Sequence, residues 1–197
     1  MRAGKRLFDL CFTSAGLIVL WPVLLVTAII IKLDDKGPVF FRQERIGLHG
    51  KPFGMWKFRT MVVDAEKIGM QLTVGKDTRI TRAGRFLRKS KLDELPQLFN
   101  VFMGEMSLVG PRPEVKRYVE LYSQQQRAVL DIPPGITDPA SIRYRDESTV
   151  LAQASDPESA YINEVMPEKI RLNLDYALHS SVLSDFWIIL KTLRRIL

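Results

Sequence analysis

Leu10 to Ile31 reads LCFTSAGLIVLWPVLLVTAIII, 22 residues without a charged side chain. About 20 apolar residues cross the hydrocarbon core of a bilayer, so length alone predicts a membrane helix. Pro22 follows Trp21 near the middle of the run, where a missing N–H and a ring clash force a kink. The flanks decide the path. Arg2, Lys5 and Arg6 precede the run, and Lys32, Lys36, Arg42 and Arg45 follow it. A spanning helix carries its basic excess on the cytoplasmic side only. Basic residues at both ends predict a re-entrant helix-break-helix over residues 1–35 that turns at Trp21-Pro22 and returns to the same face. A simple span is the competing reading. A cleaved signal peptide fits less well, because the run exceeds the usual apolar region and no A-x-A-like site follows.

Composition bounds the remainder. A chain of 197 residues, 46% hydrophobic and 26% charged, suits one domain plus an appendage. Its single cysteine, Cys11, excludes an internal disulfide and fits a reducing compartment. The two histidines, His49 and His179, lie far apart and offer no His/Cys metal-ligand spacing. Any metal would be a hard cation held by oxygens. A formal charge of +7 favours a polyanionic partner: nucleic acid, nucleotide or anionic membrane.

After the apolar run, residues 37–60 carry short β-prone pieces between glycines and prolines, which predicts one or two strands with turns. Residues 61–71 read as a polar helix and 114–130 as a second one, closed by the turn Pro133-Pro134-Gly135. Residues 141–146 read as irregular or extended. At the C-terminus Val182, Phe186, Ile189, Leu190 and Leu193 share one helical face, with Lys191, Arg194 and Arg195 elsewhere. That pattern suits an interfacial helix on anionic lipid, or one packed on the core.

The chemistry concentrates in Ser90–Pro113, SKLDELPQLFNVFMGEMSLVGPRP. Ser90, three residues before Asp93, resembles a capping-box start. Pro96 is tolerated only in a first helical turn, so a helix should begin near Asp93 to Leu95. Leu95, Leu98, Phe99 and Phe102 recur at i, i+3, i+4 and i+7 and predict its buried face. Asp93 and Glu94 would then lie at a helix N-terminus, where unpaired N–H groups and the dipole favour phosphate. A carboxylate nucleophile beside bound phosphate is one reading; a plain helix cap is the other. The basic stretch Arg79, Arg82, Arg85, Arg88, Lys89 and Lys91 runs into the same turn. Pro111 and Pro113 fix the backbone on both sides of Arg112, which lowers the entropy of presenting a phosphate-binding guanidinium fork.

These motifs resemble the small monotopic phosphoglycosyl transferases of the bacterial sugar transferase family. The likeness extends from Lys5-Arg6-x-x-Asp9 and the proline-broken helix through Gly37-Pro38-Val39-Phe40-Phe41-x-Gln43-x-Arg45-x-Gly47. It continues through Lys57-Phe58-Arg59-Thr60-Met61, Leu92-Asp93-Glu94-Leu95-Pro96-Gln97, Ser107-Leu108-Val109-Gly110-Pro111-Arg112-Pro113 and Pro134-Gly135-Ile136-Thr137.

The resemblance implies a helix-rich α/β monotopic membrane protein with a few short strands. A re-entrant helix at 1–35 would anchor a phosphoglycosyl transferase domain at 36–197, which carries interfacial helices against the cytoplasmic leaflet of the bacterial inner membrane. It implies transfer of a sugar 1-phosphate from a UDP-sugar to undecaprenyl phosphate, with release of UMP, as the first membrane step of glycan biosynthesis. Asp93 would be the nucleophile and form a phosphosugar ester. Glu94 would position Mg2+ together with Asp93 or assist proton transfer. Arg59, Arg88 and Arg112 would hold phosphate, with the Pro111-Arg112-Pro113 turn near the uridine. Arg145 keeps the position of a loop arginine. The sequence departs from the family pattern at Asp138-Pro139 and the longer segment to Pro167. The basic start stands where a larger N-terminal membrane domain would precede, so a minimal form is expected. A second copy of the chain, as a homodimer, is a candidate partner, and no nucleic acid is expected. A tethered nucleic-acid-binding module would explain the charge but not the carboxylate pair beside the arginine turn. A non-enzymatic scaffold would tolerate Asp93→Asn.

Overall fold

The computed structural model describes residues 3–65 and 77–196. Helix α1 (Ala3–Asp34) leads into the hairpin β1 (Phe40–Ile46) and β2 (Pro52–Phe58). Then come α2 (Arg82–Lys89), a 3-10 turn (Leu92–Glu94), α3 (Gln97–Met103), β3 (Ser107–Val109) and α4 (Lys116–Val119). A second 3-10 turn (Gln126–Asp131), β4 (Gly135–Thr137), α5 (Pro139–Arg143), α6 (Glu147–Leu151) and α7 (Pro157–Ala160) follow. Helices α8 (Met166–His179) and α9 (Val182–Ile196) close the described chain. The expected helix-rich chain with few short strands is what forms. β1 and β2 pair antiparallel from Phe40 opposite Phe58 to Ile46 opposite Pro52, and β3 pairs parallel with β4.

Helix α1 is unbroken through Pro22, so Trp21-Pro22 is not a gap in the helix. Proline removes one hydrogen bond, and neighbouring turns carry the ladder past it. Only 11% of its most apolar stretch is buried, whereas a soluble core helix would be mostly covered. It is long and apolar enough to cross a membrane. The residues it does bury are partly polar: Asp9, Thr13 and Thr27.

Both ends of α1 are fastened to the rest of the chain. Lys5 donates to the Val109 carbonyl at 2.9 Å and pairs with buried Asp185. Arg6 donates to the carbonyls of Val101 (2.6 Å) and Phe102 (2.8 Å) in the last turn of α3. The Leu108 N–H donates to Asp9 at 3.2 Å. At the far end Arg59 donates to the Asp35 carboxylate at 2.9 Å and its carbonyl at 2.8 Å. The Ala83 N–H donates to Asp34 at 3.0 Å, and Ile31 packs with Phe58 and Leu87.

Several sequence expectations are corrected here. Ser90 does not start a helix: it ends α2, donating its hydroxyl to the Phe86 and Leu87 carbonyls. Helix α3 begins at Gln97, after Pro96. Its covered residues are Gln97, Asn100 and Val101, while Phe99, Phe102 and Met103 point outward. Asn100 is buried because it works as a staple. Its Oδ1 accepts from the Trp56 N–H at 2.9 Å, and its Nδ2 donates to the Gly54 carbonyl at 2.8 Å.

The polar helix expected over 114–130 is replaced by α4 and a 3-10 turn. Of residues 141–146, expected to be irregular or extended, the first three belong to α5, which Asp138 caps by accepting from the Ser141 N–H at 2.9 Å. Most of the helix expected at 61–71 lies outside the described residues, and Met61 itself bridges to Ile80. The C-terminal helix is α9, with Val182, Leu183, Phe186, Trp187 and Leu193 exposed beside buried Asp185.

Candidate active site

Three separate pieces of chain converge on the carboxylate pair. The first is α2. Thr81 caps it by accepting from the Gly84 N–H at 2.9 Å. A Cβ on Gly84 would lie 2.0 Å from the Thr60 carbonyl oxygen, so only glycine lets the helix seat against Thr60. That seating lets Arg88 Nε donate to the Thr60 hydroxyl at 2.8 Å. After Ser90 the chain reverses through Lys91, whose φ of 58° places a side-chain-bearing residue in the left-handed region. The 3-10 turn follows and presents Asp93 and Glu94, both largely covered.

The second piece is the Gly110–Pro113 turn. Parallel pairing with β4 carries the chain past Gly135, whose N–H donates to the Pro111 carbonyl at 2.9 Å. Arg45 donates to the Pro113 carbonyl at 3.2 Å from the other side. The turn so fixed aims Arg112 at Glu94: Nη1 donates to Oε2 at 3.1 Å and Nη2 to Oε1. The third piece is β2. Its period of two puts Lys57 on the face of Met55 and Phe53, the inner one. Burial pushes the Lys57 ammonium down to about 7, and its nearest charges are Glu94, Arg112, Arg45 and Asp93.

The two carboxylates are thereby made unequal. Burial, with the charge of Glu94 added, pushes Asp93 up to about 6 against the pull of Lys57, Arg88 and Lys91. Burial would raise Glu94 too, but Arg112 and Lys57 outweigh it and hold its carboxyl well below the usual range. Two titratable groups pushed apart by their surroundings mark different chemical roles. Asp93 accepts no hydrogen bond from any described residue, and its Oδ1 is buried without a partner. Glu94 has both oxygens engaged by Arg112.

The other expected residues divide. Arg88 lies beside Asp93, with burial lowering its basicity and the Asp93 charge opposing that. Pro111 and Pro113 are buried where the turn needs them. Arg59 is buried and committed to Asp35, fastening the end of α1. Arg145 is exposed after α5 and makes no hydrogen bond or ion pair with the dyad. Among the described residues no three His, Cys, Asp or Glu side chains group into a metal cage. A magnesium ion could still take the free Asp93 oxygen, because Mg2+ is commonly held by one carboxylate with substrate phosphates and water completing the shell.

The bacterial sugar transferase family matches residues 1–197. The chain belongs to that family. A UDP-glucose:undecaprenyl-phosphate glucose-1-phosphate transferase of Xanthomonas campestris pv. campestris is 40% identical over 98% of this chain and 39% of its own length. A UDP-N-acetylgalactosamine-undecaprenyl-phosphate N-acetylgalactosaminephosphotransferase of Aeromonas hydrophila is 35% identical over 98% of this chain and 43% of its own. A UDP-glucose:undecaprenyl-phosphate glucose-1-phosphate transferase of Caulobacter vibrioides is 36% identical over 98% of this chain and 69% of its own. The chain spans about two fifths of the length of the first two relatives.

Lys57 and Arg45 stand in motifs quoted from the sequence, yet no role in the site is assigned to them there. Lys57 had a signal: a lysine in register with inward-facing Phe53 and Met55. For Arg45 no local pattern gives that role, because its contact with Pro113 joins residues 68 positions apart.

Proposed function

We propose that this chain transfers a sugar 1-phosphate from a UDP-sugar to undecaprenyl phosphate through an ester on Asp93. The observation that carries the reading is the partnerless, largely buried Asp93 carboxylate beside a glutamate locked by Arg112. A carboxylate kept out of hydrogen bonds and ringed by Lys57, Arg88 and Lys91 is a nucleophile in reach of an anionic electrophile. One Asp93 oxygen attacks the β-phosphorus, and the bond from that phosphorus to the bridging oxygen breaks. UMP leaves with the electron pair. The lipid phosphate then attacks the same phosphorus, releasing Asp93 and forming the lipid diphosphate sugar. Arg112 stays ionised throughout and, once Glu94 is satisfied, keeps N–H groups for phosphate oxygens. Held by Asp93 and substrate phosphates, Mg2+ would supply neutralising charge.

The membrane placement follows from α1. A straight helix of this length would span about 48 Å. Lys5, Arg6 and Asp9 at one end and Asp34 and Asp35 at the other are nevertheless all hydrogen-bonded to the same body, which supports a path that returns to one face of the membrane. The exposed Phe86, Phe99, Phe102, Met103 and Trp187 belong to elements that pack around α1 and would lie in the cytoplasmic leaflet of the inner membrane. The dyad then sits where a soluble nucleotide sugar and a lipid phosphate meet. Relatives differ in sugar, glucose in some and N-acetylgalactosamine in others, so the proposed donor is a UDP-hexose or its N-acetyl derivative.

The test is a screen of UDP-sugars for nucleotide release with undecaprenyl phosphate in nanodiscs, with Asp93→Asn as control. UMP release dependent on Asp93 supports the reading. UDP release would contradict the bond proposed to break.

A further inference from the structure

Arg45 supports the arginine turn from behind, and its hold is contested. Its Nε and Nη2 donate to the Gln43 side-chain oxygen at 3.2 and 2.8 Å, which engages those two nitrogens within β1. Only Nη1 reaches the Pro113 carbonyl, at 3.2 Å. The same Nη1 faces Glu114 Oε2 at 3.8 Å. A charge-assisted bond to a carboxylate is about twice as strong as one to a neutral carbonyl. Both side chains are largely covered, so water screens the attraction little. A Glu114 carboxylate free to turn would close the gap and draw Nη1 off Pro113.

Two contacts hold Glu114 back. The Val115 N–H donates to Oε2 at 3.2 Å, and the Tyr161 hydroxyl donates to Oε1. Tyr161 opens the π-helical turn Tyr161–Val165, which runs into α8. Its ring is 2% exposed, centred 4.9 Å from the ring of Tyr118, with Lys169 Nζ 5.3 Å from its centre. A ring wedged in this way fixes where its hydroxyl sits, and the hydroxyl fixes the carboxylate. Burial and the Glu114 charge keep the phenol protonated well above its usual range, so it remains a donor. Tyr161 lies in the segment that departs from the family pattern, and the chemistry at Asp93 gives it no part.

We propose that Tyr161 is a positioning residue for Arg112. By keeping Glu114 off Arg45 it leaves Arg45 on the Pro113 carbonyl, and the turn so held aims the Arg112 guanidinium at Glu94. A displacement of about 1 Å at the turn matters, since misplacement of that size costs up to about 100-fold in rate. The consequence for turnover rests on the transferase reading, which gives Arg112 its role.

The whole protein in nanodiscs is assayed for UMP release with undecaprenyl phosphate and a UDP-sugar that the wild type turns over. Tyr161→Phe keeps the ring and removes the donor. Its kcat/KM per folded molecule is expected to fall about tenfold. In Glu114→Gln, where no carboxylate pulls on Arg45, the same change should cost less than about twofold. The same small cost is expected in Arg112→Lys, where the fork is already lost. A tyrosine that only stabilises the fold would multiply its full loss into both backgrounds. Wild-type kcat/KM in folded Tyr161→Phe would overturn the role, even if that variant melts early. So would a tenfold loss carried unchanged into Glu114→Gln and Arg112→Lys. Either result beside wild-type turnover sinks the positioning role alone, whereas no wild-type turnover with any UDP-sugar sinks the transferase reading and this role together.

Discussion

Arg112 grips Glu94 with two guanidinium nitrogens, and neither partner is more than 27% exposed at its side chain. The pair holds Glu94 charged and leaves Asp93 as the carboxylate without a hydrogen-bond donor. Breaking it from one side leaves a covered charge uncompensated, a loss of about 3–5 kcal/mol. Arg112→Lys keeps the charge but cannot form the fork. Its expected effect is a fall in kcat/KM of roughly 100-fold, about 2.7 kcal/mol. Arg112→Met should additionally lower the melting temperature. Wild-type turnover by Arg112→Lys would show that the fork is not needed.

The displaced acidities of Asp93 and Lys57 predict a narrow pH optimum. The nucleophile must be ionised, so kcat/KM should fall tenfold per pH unit below about 6. The Lys57 ammonium is lost as pH rises through about 7, giving an alkaline limb. Lys57→Met should lower the plateau and abolish that limb, and a limb that persists would assign it elsewhere. Stability moves differently. Asp93 is raised from 3.8, so the unfolded chain releases that proton first and stability falls as pH rises from about 4 to 6. Lys57 is lowered from 10.5, so the unfolded chain keeps its proton longer and stability is regained between about 7 and 10.

Asp185 is 1% exposed and receives both the Lys5 ammonium and the Tyr176 hydroxyl. Asp185→Ala strands a buried lysine at the start of α1, at a cost of about 3–5 kcal/mol. In detergent the melting temperature should fall by about 6–20 °C. An unchanged melting curve would mean that the pair carries no net stability.

The path of α1 is testable through its ends. Gly4 has open space around it, and Lys36 is exposed. With Cys11→Ser as background, cysteines at positions 4 and 36 should react with a membrane-impermeant maleimide from the same side of oriented vesicles. Labelling from opposite sides would establish a span.

How far the sequence was readable depended on the distance between partners. Asp93, Glu94 and Arg112 were legible because adjacency and two flanking prolines announce them locally. Lys57 was not, since it reaches the dyad only once β2 is placed under α3 by Asn100. The periodicity of Leu95, Leu98, Phe99 and Phe102 predicts one buried face, but Leu95 and Leu98 are half-buried and both phenylalanines are exposed. Gln97 and Asn100 turn inward instead, Asn100 to bond the backbone of β2. Ser90 misled for a related reason: a serine between two helices can serve either, and its bonds to Phe86 and Leu87 give it to the first. The start of α5 is legible in Asp138-Pro139, a cap residue followed by a first-turn proline, although the same pair departs from the family pattern.

The central claim is that phosphorus is bonded to Asp93 during turnover. The direct measurement is intact-protein mass spectrometry after rapid quenching with a turned-over UDP-sugar and no lipid acceptor, followed by peptide mapping. The account predicts a mass gain equal to one sugar phosphate, located on Asp93, absent from Asp93→Asn and discharged by undecaprenyl phosphate. UMP formation only when the lipid is present, with no adduct at any time, would contradict it.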